Sequence, residues 1–286
     1  MKYLPDEAVE RLRRVADIPD LTGTRYRLIA EIGRGGMGAV YKAEDTVLGR
    51  MVALKVADHA DDARGEAHIM AALEHPGIVP VHDAGTLADG RAFYAMKLVE
   101  GAPLSTYRAT LAERLRLFQK ICEAVAFAHS RGVVHGDLKP DNIMIGAFGE
   151  ALVMDWGVAA IARCGIVAGT RGYMSPEQAA GSRVEAPTDI YALGAILRDL
   201  SRNEETRPAL FSIIEKAMAE RPDARYASAI GMRDDVARYV DGERVHAHRE
   251  TLTERAARLF LRYRVWILLV GAYLVMRMIV LMLLHR

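Results

Sequence analysis

The N-terminal part of the chain alternates apolar and polar residues with the period of β-strands. Residues 26–32, 40–43 and 51–56 carry this pattern, in which side chains two positions apart share one face of a strand. A glycine-rich stretch, residues 33–38, joins the first two segments, and a further apolar segment occupies residues 91–101. We therefore expect a small antiparallel β-sheet whose first two strands meet in a glycine hairpin.

Other apolar residues recur with the period of an α-helix. Residues 111–130 predict a core helix, and residues 5–17 predict a short amphipathic helix that ends near Pro19. The apolar run 265–284 is broken only by Arg277, and a helix of that length reaches about 30 Å, enough to cross a bilayer. A buried or interfacial helix is the alternative, but apolar residues occupy all faces of this one.

Composition narrows the classes of function. The 286 residues are enough for two lobes, each with its own core. Because 38 basic residues balance 37 acidic ones, the overall charge gives no basis for binding nucleic acid, and we expect no such partner. The two cysteines, Cys122 and Cys164, lie far apart, which predicts no disulfide framework and no metal-ligand spacing, and suits a reducing cytoplasm.

A polar loop at residues 133–142 holds the main candidate chemistry. Asp137 could accept a proton from a hydroxyl, and Lys139 could meet a phosphate. Asn142 offers an amide oxygen to a hard cation such as Mg²⁺, which prefers oxygen ligands. Taken alone, such a loop could also simply close a strand.

Three further features accompany this loop. Lys55 lies inside an apolar strand, where an ammonium group is costly unless it is paired or reaches solvent at the strand edge. Asp155-Trp156-Gly157 follows the loop after a gap of hairpin size. The GxGxxG at residues 33–38 precedes a strand, whereas a helix follows it in dinucleotide-binding folds, and the sequence has no GxxxxGK[ST] motif.

Together, in this order, these motifs resemble those of the protein kinases, and in particular the bacterial eukaryotic-like (Hanks-type) serine/threonine kinases that are anchored in the membrane. The resemblance implies an α+β, bilobal protein kinase-like fold over residues 25–245. A small antiparallel β N-lobe would cover residues 25–96 and a mainly α C-lobe residues 102–245. Residues 1–24 would add the N-terminal helix, residues 246–264 a basic juxtamembrane segment, and residues 265–284 a transmembrane helix.

The resemblance implies an ATP site between the lobes. Met96 would lie behind the adenine, and the backbone of Lys97 and Val99 would bond its edge. Lys55 would hold the α- and β-phosphates and pair with Glu66, with Glu74 as the second choice because it adjoins the helix stop at residues 75–76. The residues assigned to the ATP site are Ile32, Gly33, Gly35, Gly38, Val40, Ala53, Lys55, Met96, Lys97, Val99 and Met144.

The resemblance also assigns the catalytic roles. Asp137 would orient the substrate hydroxyl and take its proton, and Lys139 would stabilise charge on the γ-phosphoryl group. Asn142 and Asp155 would hold Mg²⁺, with Mn²⁺ as an alternative ion.

The loop at residues 169–177, called the substrate loop below, would seat protein substrates that carry Ser or Thr. In it, Thr170 would brace Asp137 and Lys139, and Glu177 would pair with Arg225. Farther along, Asp189 would hold the backbone of the loop at residues 133–142, which is called the catalytic loop below.

The sequence departs from the family pattern at several positions. Gly136 stands where the family usually has an Arg that binds a phosphorylated activation segment, and residues 157–169 contain no Ser, Thr or Tyr. Trp156 replaces the usual Phe, and the region 200–209 is short. These features predict a kinase that needs no activation-loop phosphate; a pseudokinase that acts as a membrane-bound binding module is the alternative. A small-molecule kinase on a related fold is a third hypothesis, disfavoured by the substrate loop.

Charge flanking the apolar run predicts its orientation. Five arginines precede the run and only His285 and Arg286 follow it, so the positive-inside rule places the kinase domain in the cytoplasm of a single-pass cell-membrane protein. The lipid bilayer is then a partner. Gly271 and Ala272 would allow two such helices to approach closely, so a homodimer is a further candidate assembly. The five arginines are Arg249, Arg255, Arg258, Arg262 and Arg264.

Overall fold

A computed structural model of the chain describes residues 18–35, 38–57, 60–156, 169–202 and 208–284. The helix expected over residues 5–17 lies outside these ranges, as do Gly36 and Met37 in the glycine hairpin and most of the segment that follows Trp156.

The N-terminal lobe is a five-stranded antiparallel sheet with the strand order β1-β2-β3-β5-β4. Its strands are β1 (Tyr26–Gly35), β2 (Gly38–Asp45), β3 (Arg50–Ala57), β4 (Val81–Thr86) and β5 (Ala92–Lys97), and helix α1 (Ala60–Ala71) lies between β3 and β4 in the chain. Strand β3 is central and buried along most of its length, which explains its nearly continuous apolar sequence. The predicted glycine hairpin joins β1 to β2, where Gly35 pairs with Gly38.

The sheet has a separate apolar cluster on one face and the main core on the other. Tyr41, Leu54 and Phe93 belong to the first cluster, and the ring of Tyr26 meets that of Phe93 edge to face at 5.8 Å. Tyr94 and Met96 belong to the main core, which continues into the helical lobe. The alternation of β5 thus places one set of side chains on each face.

The C-terminal lobe is mainly helical around helix α2. A small sheet, β6 (Gly101–Pro103), β7 (Ile143–Gly146) and β8 (Ala151–Val153), packs beside α2 (Leu111–Ser130), which starts with a capping box between Thr110 and Glu113. The remaining helices are α3 (Pro176–Ala179), α4 (Ala186–Leu200), α5 (Pro208–Ala217) and α6 (Ala229–Val240). Pro187 in the first turn of α4 leaves no backbone donor to satisfy there.

A 33-residue helix, α7 (Leu252–Leu284), ends the described chain. Within it, Tyr263–Leu283 is long and apolar enough to cross a membrane, with a mean hydropathy of 2.3 and no part of it buried in the protein. The helix begins well before the apolar run, because Thr251 and Glu254 cap its start and Ala and Arg, both good helix formers, fill the next turns. Most of the expected juxtamembrane segment therefore continues the same helix.

The segment just before α7 is tied to the helical lobe by a buried carboxylate. The backbone amides of His246 and Ala247 donate to Asp235 at 2.8 and 3.0 Å, and the Tyr226 hydroxyl donates to the same carboxylate at 3.0 Å. Packing of the lobe thus continues past Val245, the last residue expected in it, into residues 246–247.

The close approach of β6 to β7 makes Gly101 a sharp test of this packing. A Cβ at Gly101 would lie 1.9 Å from the carbonyl oxygen of Ile145. Because backbone cannot swing aside as a side chain can, we expect Gly101→Ala to cost about 1–3 kcal/mol and to lower the melting temperature by about 3–10 °C.

Gly231→Ala is the matched control. Its nearest neighbours would be 3.7 Å away, and it lies in helix α6, where Ala is favoured over Gly. Calorimetry should show an unchanged or slightly raised melting temperature for this variant. Equal melting temperatures for the two variants would contradict the packing described.

Candidate active site

A buried lysine joins three elements at the mouth of the cleft between the lobes. Lys55 Nζ, on β3, donates to Glu66 Oε1 and Oε2 on α1 at 2.9 and 2.8 Å, and to Asp155 Oδ1 at 3.0 Å. The side chains of Lys55 and Glu66 are only 8% and 5% exposed. Burial acts to lower the pKa of Lys55, but Asp155 and Glu66 outweigh it and the pKa lies above its usual value. The lysine therefore stays charged.

The structure brings Lys55 to Glu66 and not to the second candidate, Glu74. Glu66 lies within α1, whereas Glu74 follows the end of that helix at Ala71. Sequence reasoning missed Tyr94, whose ring lies 5.7 Å from Lys55 Nζ. Burial, followed by the charge of Glu66, raises the pKa of Tyr94 well above its usual value, so the hydroxyl stays neutral.

The catalytic-loop candidates form a closed triangle with the substrate-loop threonine. Lys139 Nζ donates to Asp137 Oδ2 and to Thr170 Oγ1, both at 2.8 Å. Thr170 Oγ1 in turn donates to Asp137 Oδ1 at 2.9 Å. Thr170 comes from a different segment of the chain. The triangle therefore couples the orientation of Asp137 to the position of the loop that would seat a substrate.

The backbone of the catalytic loop is held in place by a buried carboxylate. Asp189 on α4 accepts from the amides of His135 and Gly136 at 2.8 and 2.9 Å, and His129 Nε2 lies 2.8 Å from the same carboxylate. Burial acts to raise the pKa of Asp189, but the contact with His129 and the amide bonds lower it below its usual value. Asp189 thus makes the backbone contact that the resemblance implies.

Gly136 fits a backbone conformation that other residues adopt at a cost. Its φ is +78°, in the left-handed region. Gln178 Nε2 donates to its carbonyl oxygen at 2.6 Å, so the peptide groups on both sides of Gly136 are fixed. The sequence offered no signal for Gln178, because nothing local marks a contact over 42 positions.

The metal-ligand candidates are neighbours across β7 and β8. The amide of Met154 donates to the carbonyl oxygen of Asn142 at 2.9 Å, which places Asn142 beside Asp155. Asn142 Nδ2 donates to the Asp137 carbonyl oxygen at 2.9 Å, so its side-chain oxygen is the atom left for a cation. Asp155 has a φ of +57°, and Trp156, fully buried, packs on the ring of His135 at 4.8 Å.

This set fits Mg²⁺ shared with a phosphate. One carboxylate and one amide oxygen match the ligands that Mg²⁺ takes when substrate phosphates and water complete its shell. Among the described residues no group of three or more His, Cys, Asp or Glu side chains forms a cage of its own.

Most of the residues assigned to the ATP site lie on the two hairpin strands, β1 and β2, and on the adjoining strands β3 and β5. Strand register places Val40 opposite Lys55 and Ala53 opposite Met96, whereas Met144 lies on β7 beyond them. Ile32, Gly33, Gly35 and Gly38 lie on the hairpin strands.

Two features refine this pocket. Gly38 has a φ of +132° and a Cβ there would lie 2.2 Å from the Val56 carbonyl oxygen, so only glycine fits. The Lys97 amide donates to the Pro80 carbonyl oxygen at 3.1 Å, so this amide is already bonded within the N-terminal lobe.

The end of the substrate loop is fixed by a buried ion pair. Arg225 donates to Glu177 Oε1 at 2.7 Å and to Oε2 at 2.8 Å, in a two-pronged geometry, and the arginine side chain is fully buried. Burial acts to raise the pKa of Glu177, but Arg225 and the backbone bonds lower it to about 2. The Tyr173 hydroxyl, which sequence reasoning missed, adds a 2.6 Å bond to Asp199 on α4.

The Glu177 pKa predicts a specific acid sensitivity. A carboxyl whose folded-state pKa is about 2, against 4.5 in the unfolded chain, contributes stability above pH 4.5 that is lost as pH falls toward 2. Glu177→Gln should lower the free energy of unfolding at pH 7, because Arg225 keeps a buried charge without a carboxylate.

The stability of Glu177→Gln should also fall less steeply than that of the wild type between pH 4.5 and 2. Urea unfolding over this interval measures both slopes. Parallel pH profiles would contradict the pairing, and Glu215→Gln, at an exposed position on α5, serves as the matched control.

The sequence matches a known protein family over most of its length. Residues 26–227 match the protein kinase domain family. The chain is 33% identical over 292 residues to the serine/threonine-protein kinase PknD of Chlamydia felis, covering 76% of this chain and 31% of the relative. It is 36% identical over 281 residues to the probable serine/threonine-protein kinase SCO3848 of Streptomyces coelicolor, covering 80% of this chain and 42% of the relative. The chain thus spans less than half the length of these curated relatives.

Solved structures agree with the architecture. The Mycobacterium tuberculosis PknI kinase domain aligns with a TM-score of 0.60 at 25% identity, covering 76% of this chain and 96% of that one. The apo form of PpkA-294 aligns with a TM-score of 0.62 at 22% identity, covering 74% of this chain and 96% of that one. The bilobal α+β fold expected from the sequence is confirmed. The chain belongs to the protein kinase domain family, and the curated relatives reported above are bacterial proteins named as serine/threonine-protein kinases.

Proposed function

We propose that the chain transfers the γ-phosphoryl group of ATP to Ser and Thr hydroxyls of proteins. The observation that carries this proposal is the hydrogen-bonded triangle of Asp137, Lys139 and Thr170, which joins the acid, the cation and the substrate loop at distances of 2.8–2.9 Å. Phosphoryl transfer requires mainly positioning and neutralisation of charge, and this triangle supplies both at one point of the cleft.

Asp137 would act on the attacking hydroxyl. A carboxylate has about four lone-pair sites; Lys139 and, at 3.5 Å, Asn142 donate to Oδ2, whereas Thr170 alone donates to Oδ1. A substrate hydroxyl can therefore still donate to Asp137, which orients it and takes its proton. Lys139, already within hydrogen-bond distance of that carboxylate, would stabilise charge on the transferred group.

Lys55 would hold the α- and β-phosphates of ATP, kept charged and oriented by Glu66. The glycine hairpin would approach the phosphates through its backbone amides. Asn142 and Asp155 would hold Mg²⁺, which neutralises phosphate charge when bound. The purine would lie against Val40 and Ala53.

The catalytic loop has supports that involve no phosphate. Gly136 replaces the usual phosphate-binding Arg, and its two flanking peptide groups are held by Asp189 and Gln178. Residues 157–169 offer no hydroxyl for phosphorylation, although residues 157–168 lie outside the described structure. We infer that activity does not depend on phosphorylation of the activation segment.

Two alternatives are less well supported. A pseudokinase would be expected to have lost part of the charged set, yet Lys55, Asp137 and Asp155 all remain and are in contact with partners. A small-molecule kinase does not require a loop for protein substrates, whereas here that loop is anchored by Glu177 and Tyr173.

The kinase proposal predicts a loss of transfer in two variants. With the full chain in lipid nanodiscs, labelled ATP, Mg²⁺ and a generic basic protein, we expect transfer to Ser or Thr. Asp137→Asn should reduce it by about 10²–10⁴-fold while ATP binding persists, because only the proton acceptor is lost. Lys55→Met should also abolish transfer, and Lys120→Met, at an exposed lysine on α2, should not.

Treatment with a phosphatase beforehand should leave the wild-type rate unchanged, as expected for a kinase without an activation-loop phosphate. If the wild type bound ATP but transferred nothing, the pseudokinase alternative would replace the kinase proposal.

We further propose that α7 anchors the chain in the cell membrane with the kinase domain in the cytoplasm. Support comes from the exposed apolar stretch Tyr263–Leu283 and from the arginines that precede it. Arg277, in the distal half of the stretch, would reach the far interface. Gly271 would let two such helices pack closely as a homodimer.

The anchor predicts membrane retention that depends on the apolar stretch. The full chain should sediment with membranes and resist alkaline extraction. Leu269→Arg with Leu274→Arg should release it, because each central Arg costs about 2.5–3.5 kcal/mol on insertion. Leu48→Arg, at an exposed leucine in the N-terminal lobe, should stay bound. A soluble wild-type chain would refute the anchor.

A further inference from the structure

The substrate loop presents an arginine next to the catalytic centre. Arg171 directly follows Thr170, whose hydroxyl lies 2.9 Å from Asp137 Oδ1, and its side chain is exposed. Glycines flank the pair, and both have φ in the left-handed region, +145° at Gly169 and +96° at Gly172. The backbone therefore turns tightly on either side, and the arginine projects from the loop that would seat a substrate.

Two carboxylates that lie in or against this loop have other partners. Glu177 is bound by Arg225, and Asp199 accepts from Tyr173 at 2.6 Å and lies 3.6 Å from Arg198. Across residues 18–35, 38–57, 60–156, 169–202 and 208–284, no carboxylate forms an ion pair with Arg171. The charge of Arg171 is thus not neutralised by the part of the chain that the structure describes.

The preceding segment supplies no anion either. Residues 157–168 contain neither Asp nor Glu, and no Ser, Thr or Tyr that a phosphate could occupy; they add another cation, Arg163. A second arginine contacts the loop, since Arg198 donates to the Gly172 carbonyl oxygen at 3.4 Å. Within the described residues, Arg171 is therefore an exposed cation of this loop without an anionic partner, which suits an acidic ligand from another molecule.

We propose that Arg171 is a specificity-determining residue that selects substrates with an Asp or Glu close to the phosphorylated Ser or Thr. The inference rests on the proposed kinase activity. Consecutive Cα atoms lie about 3.8 Å apart, so an extended substrate whose hydroxyl meets Asp137 brings residues one or two positions away alongside Arg171. An arginine fork binds a carboxylate through two parallel hydrogen bonds, which suits this recognition.

The size of the effect follows from the exposure of the site. Exposed ion pairs contribute modestly, so we expect kcat/KM for an acidic peptide to exceed that for a neutral one by about two- to fivefold. The preference should shrink as ionic strength rises, because salt screens exposed charges.

A peptide series tests the proposal with the full chain in nanodiscs. Each peptide carries one Thr in a neutral background. A single position, one or two residues before or after the Thr, is occupied by Asp, Ala or Lys. The wild type should prefer Asp at one or more positions. Arg171→Gln should reduce the Asp-to-Ala ratio to near one, and Arg171→Glu should prefer Lys at the same position.

Arg116→Gln is the control, because it removes the same charge from an exposed site on α2 and should keep the Asp preference. A wild type that phosphorylates all peptides equally, or an Asp preference that survives in both Arg171 variants, would overturn the inference and leave the kinase proposal standing. No transfer by the wild type to any peptide or to a generic protein would overturn the kinase proposal, and this inference with it.

Discussion

The arrangement of the cleft depends on the buried ammonium group of Lys55. A cation with 8% of its side chain exposed is costly to bury, and only close anionic partners make that position tolerable. Its two partners come from different parts of the fold, Glu66 from α1 and Asp155 from the end of the small sheet of the helical lobe. One charge therefore holds a helix against the N-terminal sheet and links that sheet to the other lobe.

Two buried ionic groups, Asp189 and Arg225, fix two different loops of the helical lobe. Asp189 accepts from two backbone amides and also contacts His129, so it fixes the shape of the catalytic loop. Arg225 meets Glu177 in a two-pronged pair and also bonds three backbone carbonyls, so it fixes the end of the substrate loop. Between them lies the triangle of Asp137, Lys139 and Thr170. The candidate site is thus a set of polar side chains whose positions are determined by buried charges around it.

Sequence reasoning reached the parts of this arrangement that leave a local mark. Strand alternation located β1 to β3, and an ammonium inside an apolar strand indicated that Lys55 needs a partner. It missed Tyr94, Gln178 and the bond from Tyr173 to Asp199, because a polar contact between distant segments leaves no periodic pattern. The last helix starts at Leu252, ahead of the apolar run, because helix formation depends on capping and propensity, whereas an apolar run marks only the stretch suited to lipid. The residues at 5–17 stay a prediction.

The length of α7 has a consequence for where the enzyme would work. A helix of 33 residues is about 50 Å long, whereas the hydrocarbon core of a bilayer is about 30 Å thick. A stem of about 15–20 Å would then stand between the lipid and the helical lobe, and Asp235 ties to that lobe the segment just before the stem. If α7 anchors the chain as proposed, a catalytic cleft on so short a stem would be confined to a thin layer beside the membrane. Within that layer, the proteins it would meet most often are those that diffuse in two dimensions along the same surface.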